Sequence, residues 1–169
     1  MIIIEGPDRS GKTTLANYLS NVLKIPIIHS AGPAKSQKEF LQIVNQTQIN
    51  FNRKLIQDRT PIISEAIYGT FRPDHKPYII WRSSQRLMAS YKHLLIYCRP
   101  PRELFDFSGE PKLVRDNADE IIKLYDRYFG QLERYYKHLE LYRYDRSTSM
   151  IFVDPETGQI IGRKLKSKK

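Results

Sequence analysis

The chain has 169 residues, enough for one domain with a sizeable hydrophobic core and too few for two ordinary ones, so we expect a single domain over 1–169. An apolar content of 40% is typical of a folded protein and excludes a disordered chain. No apolar run approaches the length of a membrane span, and we therefore expect a cytoplasmic protein with no membrane segment. The single cysteine, Cys98, excludes an internal disulfide and is expected to be a core residue.

The net charge of +10 is high and unevenly distributed along the chain. Residues 51–102 contain ten Lys or Arg against three acids, and the last seven residues, 163–169, contain five basic side chains. We interpret this basic C-terminal tail as a solvated end of the chain. A basic protein attracts polyanions, so the charge indicates nucleotides or nucleic acid as partners.

Predicted strands alternate with predicted helices along the whole chain. Strands are predicted from short apolar runs, and helices from apolar residues that recur with helical spacing. In chain order these are a strand at Ile2–Glu5, a helix at Lys12–Lys24, an apolar run at Ile25–His29, a helix at Gln37–Asn50, a weak strand at Arg53–Gln57, helices at Ile62–Tyr68 and Ile79–Ser90, a strand at His93–Cys98, a helix at Asp116–Leu139, a strand at Leu141–Tyr144 and a hairpin formed by Met150–Val153 and Gln159–Gly162.

Two segments between these elements are predicted to be irregular. Thr70–Pro77 contains two prolines and is predicted to be a loop, and Arg102–Arg115 is predicted to be mobile. The alternation of strands and helices predicts an α/β protein with three layers, α/β/α, around a central parallel sheet of about five strands. In such a fold, ligands bind at the carboxyl ends of the strands.

The segment Gly6–Thr13 has the spacing G-x-x-x-x-G-K-[ST] of a phosphate-binding loop, or P-loop. A predicted strand precedes it and a predicted helix begins at Lys12, which is the context that such a loop requires. Glycines let successive amide groups turn toward phosphate oxygens, and the helix adds its positive N-terminal end. We predict that the loop binds ATP, with Lys12 at the β- and γ-phosphates and the Thr13 hydroxyl on Mg²⁺. The residues expected to bind the nucleotide are Gly6, Ser10, Gly11, Lys12, Thr13 and Thr14.

Asp58 follows a predicted strand, at the place where P-loop folds carry a second metal-associated carboxylate. We predict that Thr13 and Asp58 hold the metal, although Asp58 as a helix cap or surface ion pair is the alternative. Arg59 lies beside it, and cations of this kind stabilise phosphoryl transfer because guanidinium groups match phosphate geometry. Further arginines follow in predicted loops or near strand ends: Arg72, Arg82, Arg86, Arg99, Arg102 and Arg115.

The segment Glu5–Thr14 resembles the P-loop of thymidylate kinases, in particular the type with an arginine inside the loop. The resemblance covers most of 1–139 in outline, and the P-loop is its most specific part. The other segments that carry it are Asp58-Arg59, similar to the family's Asp-Arg motif; Ser64, Ala66 and Tyr68 in the following helix; and His93–Cys98 with Pro100-Pro101 before the lid. The short chain is similar to compact phage-type nucleotide kinases, which would act in the host cytoplasm.

The resemblance implies a role for each polar residue of the loop. Asp8 would accept a hydrogen bond from a sugar hydroxyl of the acceptor, and Arg9 would stabilise the charge of the transferring phosphoryl group. Asp58 would act near the metal, and Arg59 would hold the acceptor phosphate. The predicted catalytic set consists of Arg9, Lys12, Asp58 and Arg59.

The acceptor-binding residues implied by the resemblance are Asp8 and Arg59, together with Tyr68, Phe71 and Arg72. Tyr68 and Phe71 are candidates to stack on a base, with a core position as the alternative for each. The segment 102–115 is the candidate lid, which would close over the substrates and exclude water.

The favoured function is ATP- and Mg²⁺-dependent phosphorylation of a (deoxy)nucleoside monophosphate, with dTMP or a related pyrimidine nucleotide as acceptor. The chain departs from the thymidylate kinase pattern by its length, by an offset of one residue at Ser64 and Tyr68, and by its lid arginines, so the base stays open. One alternative is a P-loop kinase that acts on a nucleoside or on a hydroxyl of DNA or RNA, although nucleic acid is not favoured. Another is a nucleotide-binding protein without catalysis. The resemblance is also compatible with a homodimer.

Overall fold

A computed structural model of the protein describes residues 1–30, 32–73 and 76–147, together with the backbone of 151–153 and 160–162. Strands and helices alternate along the chain, as predicted. The elements are β1 (Ile2–Glu5), α1 (Lys12–Leu23), β2 (Ile27–His29), α2 (Gln37–Asn50), β3 (Ile56–Asp58), α3 (Pro61–Tyr68), α4 (Trp81–Ala89), β4 (Leu94–Cys98), α5 (Lys112–Asp116), α6 (Ala118–Tyr135), β5 (Glu140–Tyr144), β6 (Ile151–Val153) and β7 (Ile160–Gly162).

Five strands form one parallel sheet in the order β2-β3-β1-β4-β5. Strand β1 is central, and Ile4 pairs with Asp58 on one side and with Ile96 on the other. The carboxyl ends of β1 and β3 therefore lie side by side. The predicted α/β class and the central parallel sheet of five strands are confirmed.

The two faces of the sheet bury separate hydrophobic clusters because neighbouring residues of a strand point to opposite faces. Ile4 packs with Leu15 and Leu19 of α1, whereas Ile3 belongs to the larger cluster that includes Ile62 of α3 and Phe129 of α6. All six side chains are at most 3% exposed. Burying each one contributes about 1.5–3 kcal/mol, which fixes α1 and the P-loop before it against the sheet.

Most predicted boundaries differ from the observed ones by one or two residues, and the largest differences occur in two elements. The strand predicted at Arg53–Gln57 begins only at Ile56, because Arg53 is in a turn in which its amide donates to Asn50 O (2.9 Å) at the end of α2. The helix predicted at Asp116–Leu139 begins at Ala118 and ends at Tyr135. Beyond its end the chain turns, with the Leu139 amide donating to Tyr136 O (3.0 Å).

The predicted irregular segments contain short helical turns. A 3₁₀ turn covers Gly69–Phe71, and another covers Arg102–Leu104 within the candidate lid. Helix α5 begins directly after Pro111, a residue suited to a helix start because it has no amide hydrogen to leave unpaired. The candidate lid is therefore partly helical.

Strands β6 and β7 form an antiparallel pair, which confirms the predicted terminal hairpin within the described backbone. Its predicted ends at Met150 and Gln159, and the basic tail at 163–169, lie outside the described residues. Cys98 is completely buried, as predicted. Among the helices of the described residues, none is long and apolar enough to cross a membrane.

Candidate active site

The P-loop curls between the end of β1 and the first turn of α1. Gly6 has a φ of 152°, and a Cβ there would lie 2.4 Å from Cys98 O, so only glycine fits. Gly11 has a φ of 90° at the N-cap of α1. Arg9 also has a left-handed backbone, with a φ of 61°. The loop therefore encloses the N-terminus of α1, where backbone amides can bind an anion.

The side chain of Lys12 folds back over the loop. Its Nζ donates to Pro7 O (2.5 Å) and to Ser10 Oγ (3.3 Å), and the residue is buried. Burial, and then the positive charge of Arg59, lowers the pKa of Lys12 to about 8. An anionic phosphate would favour the charged form, so the site is electrostatically prepared for a phosphate.

Thr13 and Asp58, the predicted metal ligands, are in direct contact. Thr13 Oγ1 donates to Asp58 Oδ2 (2.8 Å), and His29 Nδ1 lies 3.2 Å from the same oxygen. Asp58 Oδ1 is buried and has no hydrogen-bond partner among the described residues. A hydroxyl and a carboxylate beside a phosphate loop are the oxygen ligands that Mg²⁺ prefers, so these residues fit the metal. His29 was not predicted to lie here.

Asp8, Arg59 and Tyr68 meet although they are far apart in sequence. Arg59 Nη2 donates to Asp8 Oδ1, and the Tyr68 hydroxyl donates to Asp8 Oδ2 (2.8 Å). The Arg59 guanidinium also lies over the Tyr68 ring, 5.7 Å from its centroid. Burial alone would raise the pKa of Asp8, but the charges of Arg59 and Lys12 outweigh it and the pKa is lowered. Asp8 is therefore a carboxylate that accepts hydrogen bonds.

A cavity of about 470 Å³ adjoins these three residues, within the usual size range of small-molecule sites. Its lining combines polar side chains near the P-loop with an apolar wall. The polar members are Asp8, Ser30, Arg59, Ser64, Glu65, Tyr68, Arg72 and Glu110, and the apolar ones include Phe40, Pro61, Pro111, Leu113 and Val114. Ser64 lines the cavity, and its hydroxyl is buried without a hydrogen-bond partner among the described residues.

Arg72 lies at this cavity and Phe71 does not. Arg72 Nη2 donates to Glu65 Oε2 (2.5 Å), and the Tyr78 amide donates to Glu65 Oε1 (3.0 Å), so the guanidinium is held at the wall. Phe71 packs against the larger hydrophobic cluster and is absent from the cavity lining, which corresponds to the core alternative. Tyr68 belongs to both the cavity and the core. It lines the cavity, and its ring packs against that of Tyr125, with 6.0 Å between the ring centroids.

The candidate lid reaches the P-loop through one ion pair. Arg9 Nε donates to Glu110 Oε1 (2.6 Å), and Glu110 also lines the cavity. The Arg9 side chain is half exposed, at 51%. Arg9, which is predicted to stabilise the transferring phosphoryl group, therefore pairs with Glu110 of the candidate lid. The sequence analysis did not identify Glu110 as a site residue.

The other arginines considered from the sequence lie away from the described cavity lining. Arg99 pairs with Asp126 (2.9 Å), Arg102 with Asp119 (2.5 Å) and Arg115 with Asp116 (3.8 Å). Arg82 and Arg86 are on α4. Among the residues that line the cavity, the two cations are therefore Arg59 and Arg72.

Arg146, just beyond β5, also lies at the P-loop. A Cβ on Gly11 would be 3.4 Å from Arg146 Cδ, and Arg146 Nη2 donates to Leu104 O in the candidate lid. The sequence could have indicated Arg146 only through the topology, because residues that follow the carboxyl end of a parallel strand lie near the ligand site. Arg146 therefore connects the candidate lid, at Leu104, with the start of α1, at Gly11.

No protein-family profile and no curated protein matches the chain. Similar solved structures include the YorR protein from Bacillus subtilis in complex with phosphorylated GDP, with 22% identity, 88% of this chain and 89% of that chain covered, and a TM-score of 0.61. Deoxyadenosine kinase from M. mycoides with products dCMP and a flexible dCDP has 14% identity, 93% coverage of each chain and a TM-score of 0.55. The same enzyme with bound dATP has 14% identity, coverage of 85% and 90%, and a TM-score of 0.52. These similarities show that the chain shares the fold of these proteins, a central parallel sheet with helices packed against it.

Proposed function

We propose that the protein is a kinase that transfers the γ-phosphoryl group of ATP to a (deoxy)nucleoside monophosphate, giving ADP and the nucleoside diphosphate. The observation that carries this proposal is the meeting of Asp8 and Arg59 at a cavity beside the P-loop. A phosphate on the acceptor would find two guanidinium groups at this cavity, Arg59 and Arg72. The similar structures, which are described with nucleotides bound, support a nucleotide as ligand.

The preferred acceptor is dTMP or a related pyrimidine nucleotide. This choice rests on the resemblance of Glu5–Thr14 and Asp58-Arg59 to thymidylate kinases. The M. mycoides enzyme of similar fold is described with dCMP and dCDP as products, so a protein of this fold can hold pyrimidine deoxynucleotides. In the proposed pose, Asp8 accepts a hydrogen bond from the sugar and Tyr68 lies beside the base.

In the reaction, an acceptor phosphate oxygen forms a bond to the γ-phosphorus while the bond from that phosphorus to the β-phosphate oxygen breaks. Lys12 would hold the β- and γ-phosphates, and Arg59 would orient the acceptor. Arg9 would leave Glu110 and stabilise the charge of the transferring group. Thr13 and Asp58 would hold Mg²⁺, which when bound neutralises phosphate charge. The lid residues of the cavity wall would exclude water.

A second candidate function is phosphorylation of a nucleoside. It is favoured by one observation, the carboxylate of Glu110 at the cavity, because a nucleoside hydroxyl must lose a proton and a carboxylate can accept it. An acceptor phosphate oxygen is already ionised and needs no such base. The deoxyadenosine kinase of similar fold makes this candidate concrete.

The test is transfer from γ-labelled ATP with Mg²⁺ to a panel of (deoxy)nucleoside monophosphates, nucleosides, and single- and double-stranded DNA. We expect label in one nucleoside diphosphate, lost in Arg9→Ala and Lys12→Ala. Label in a nucleoside monophosphate would establish the second candidate instead. Label in DNA would show that the basic charge, and not the resemblance, indicated the substrate. Tight ATP binding without transfer to any acceptor would refute a kinase.

A further inference from the structure

Glu5, the last residue of β1, is completely buried beneath the P-loop and contacts three separate segments. Its Oε1 accepts the Thr60 amide (2.5 Å), and its Oε2 accepts the Gly6 amide (3.3 Å) and the Tyr125 hydroxyl (3.2 Å). These donors belong to the turn after β3, to the P-loop and to α6. One carboxylate therefore connects the two loops that form the candidate site with α6, which packs on the face of the sheet opposite to α1.

The Thr60 amide is significant because it directly follows Arg59. Arg59 has a φ of 70°, in the left-handed region that residues other than glycine rarely adopt. The Arg59 amide donates to Ile4 O (3.0 Å), and the next amide donates to Glu5. Such a backbone persists only where its surroundings determine it, and here two consecutive amides are bound to β1. The side chain of Glu5 is one of the two acceptors.

We propose that Glu5 is a positioning residue for Arg59: it fixes the left-handed turn, and so sets the place of the guanidinium beside Asp8 where the acceptor phosphate binds. Glu5 is not among the residues that line the described cavity, so it acts through Arg59. That the ligand is an acceptor nucleotide rests on the proposed function, whereas the contacts between Glu5 and the Arg59 turn do not depend on it.

The contacts require a carboxylate and not merely a polar side chain. Glu5 is ionised above its raised pKa of about 7, and the measurements below are made there. Both oxygens of the carboxylate then accept, and they face two amides and a hydroxyl. In Glu5→Gln, the single oxygen can serve the Thr60 amide only if the new NH₂ group faces the Gly6 amide. Because both of those groups are donors, one of the two contacts is lost. The variant is nearly isosteric, so it perturbs the hydrogen bonds with little change of volume.

The first experiment compares Glu5→Gln with a matched control, Leu132→Ala, a completely buried site on α6 seven residues from Tyr125. We expect Glu5→Gln to raise the KM and the Kd of the acceptor nucleotide, measured with dTMP, by about tenfold or more. The KM of ATP should change by less than about threefold, and Leu132→Ala should lower stability without changing the KM of the acceptor. Equal changes for both substrates, or the same KM pattern in the control, would overturn the proposal.

A double-mutant cycle tests whether Glu5 acts through Arg59. In the Arg59→Ala background, Glu5→Gln should have little further effect on acceptor binding, because the group that it positions is gone. Additive effects would show that Glu5 acts by another route.

A third readout does not depend on the reaction. The Nε–H resonance of Arg59, assigned by its loss in Arg59→Lys, should shift or broaden in Glu5→Gln and stay in place in Leu132→Ala. If the wild-type protein transfers phosphate to nothing, the proposed function fails while this measurement still decides the positioning role. An unchanged Arg59 resonance in Glu5→Gln would refute that role.

Discussion

The free energy of unfolding is predicted to depend on two buried groups that oppose each other between pH 4.5 and 6.5. Glu5 lies at the carboxyl end of β1, and His93 lies just before β4 at the other end of the sheet. Burial raises the pKa of Glu5 to about 7 from an ordinary value of 4.5, and burial lowers the pKa of His93 to about 4 from 6.5. Their effects on stability therefore have opposite signs over the same pH range.

Glu5 stabilises the folded state at low pH. Between pH 4.5 and 7 the folded protein holds a proton on Glu5 that the unfolded chain has released. Stability from this group is thus fully present below pH 4.5 and is lost as the pH rises through 7. The charges of Arg59 and Lys12 limit this effect because they favour the ionised carboxylate.

His93 acts in the opposite direction. Its Nδ1 donates to Tyr91 O (2.9 Å), while its buried Nε2 has no hydrogen-bond partner among the described residues. A second proton on the ring would add a buried charge with no acceptor, so the folded state keeps the ring neutral. Stability from this group is present above pH 6.5 and is lost as the pH falls through 4.

The magnitude follows from the shared range of two pH units, each worth about 1.4 kcal/mol per group. Across pH 4.5–6.5, each group changes the free energy of unfolding by up to about 3 kcal/mol, with opposite signs. The assay is urea unfolding at pH 4.5, 5.5 and 6.5 of the wild type, Glu5→Gln and His93→Phe. Other titrating groups are common to all three proteins and cancel in the differences between slopes.

Relative to the wild type, the stability of Glu5→Gln should rise with pH, and that of His93→Phe should fall with pH. Any constant loss from a broken hydrogen bond shifts a whole curve and does not change its slope. If both variants kept the pH slope of the wild type, burial would not control the protonation of Glu5 and His93.

Three further predictions concern the site itself. Lys12→Ala should lower phosphoryl transfer by about a hundredfold or more while acceptor binding, measured by calorimetry, is kept, because Lys12 serves the ATP phosphates; loss of acceptor binding would contradict this. Glu110→Gln should raise kcat/KM because loss of the pair with Glu110 frees Arg9. The increase should be less than about fivefold, since a half-exposed ion pair is worth about 0.2–1 kcal/mol. A lower kcat would instead mean that the pair is kept during transfer. Arg146→Ala should raise the KM of ATP several-fold, with Arg82→Ala as control, and an unchanged KM would exclude a donor-side role.

The P-loop could be predicted because its determinants are local. Two glycines, a lysine and a preceding β-branched strand lie within Ile2–Thr13, and backbone curvature follows from those residues alone. The sheet could be predicted from the alternation of elements. The short strand β3 was misplaced because three residues carry no usable periodicity, and its start depends on where α2 unwinds.

The contacts that complete the site depend on tertiary structure. The meeting of Asp8 with Arg59 follows from the register of β1 against β3, which places Ile4 beside Asp58. The resemblance implied that Asp8 and Arg59 both bind the acceptor, but their ion pair was not predicted. Glu110 and Arg146 reach the P-loop from segments that are remote in sequence, so their charges alone gave no reason to select them among the other charged residues.

The two arginines predicted to meet the reacting phosphates differ in how firmly they are held. Both have left-handed backbones, and each pairs with a carboxylate. The Arg59 side chain is 27% exposed and its turn is fixed by Glu5, whereas the Arg9 side chain is 51% exposed and pairs with Glu110 of the lid. Because exposed pairs are weak and easily exchanged, a phosphate competes readily for Arg9 but finds Arg59 already in place. We therefore expect acceptor binding to precede the release of Arg9, which couples lid rearrangement to the presence of substrate.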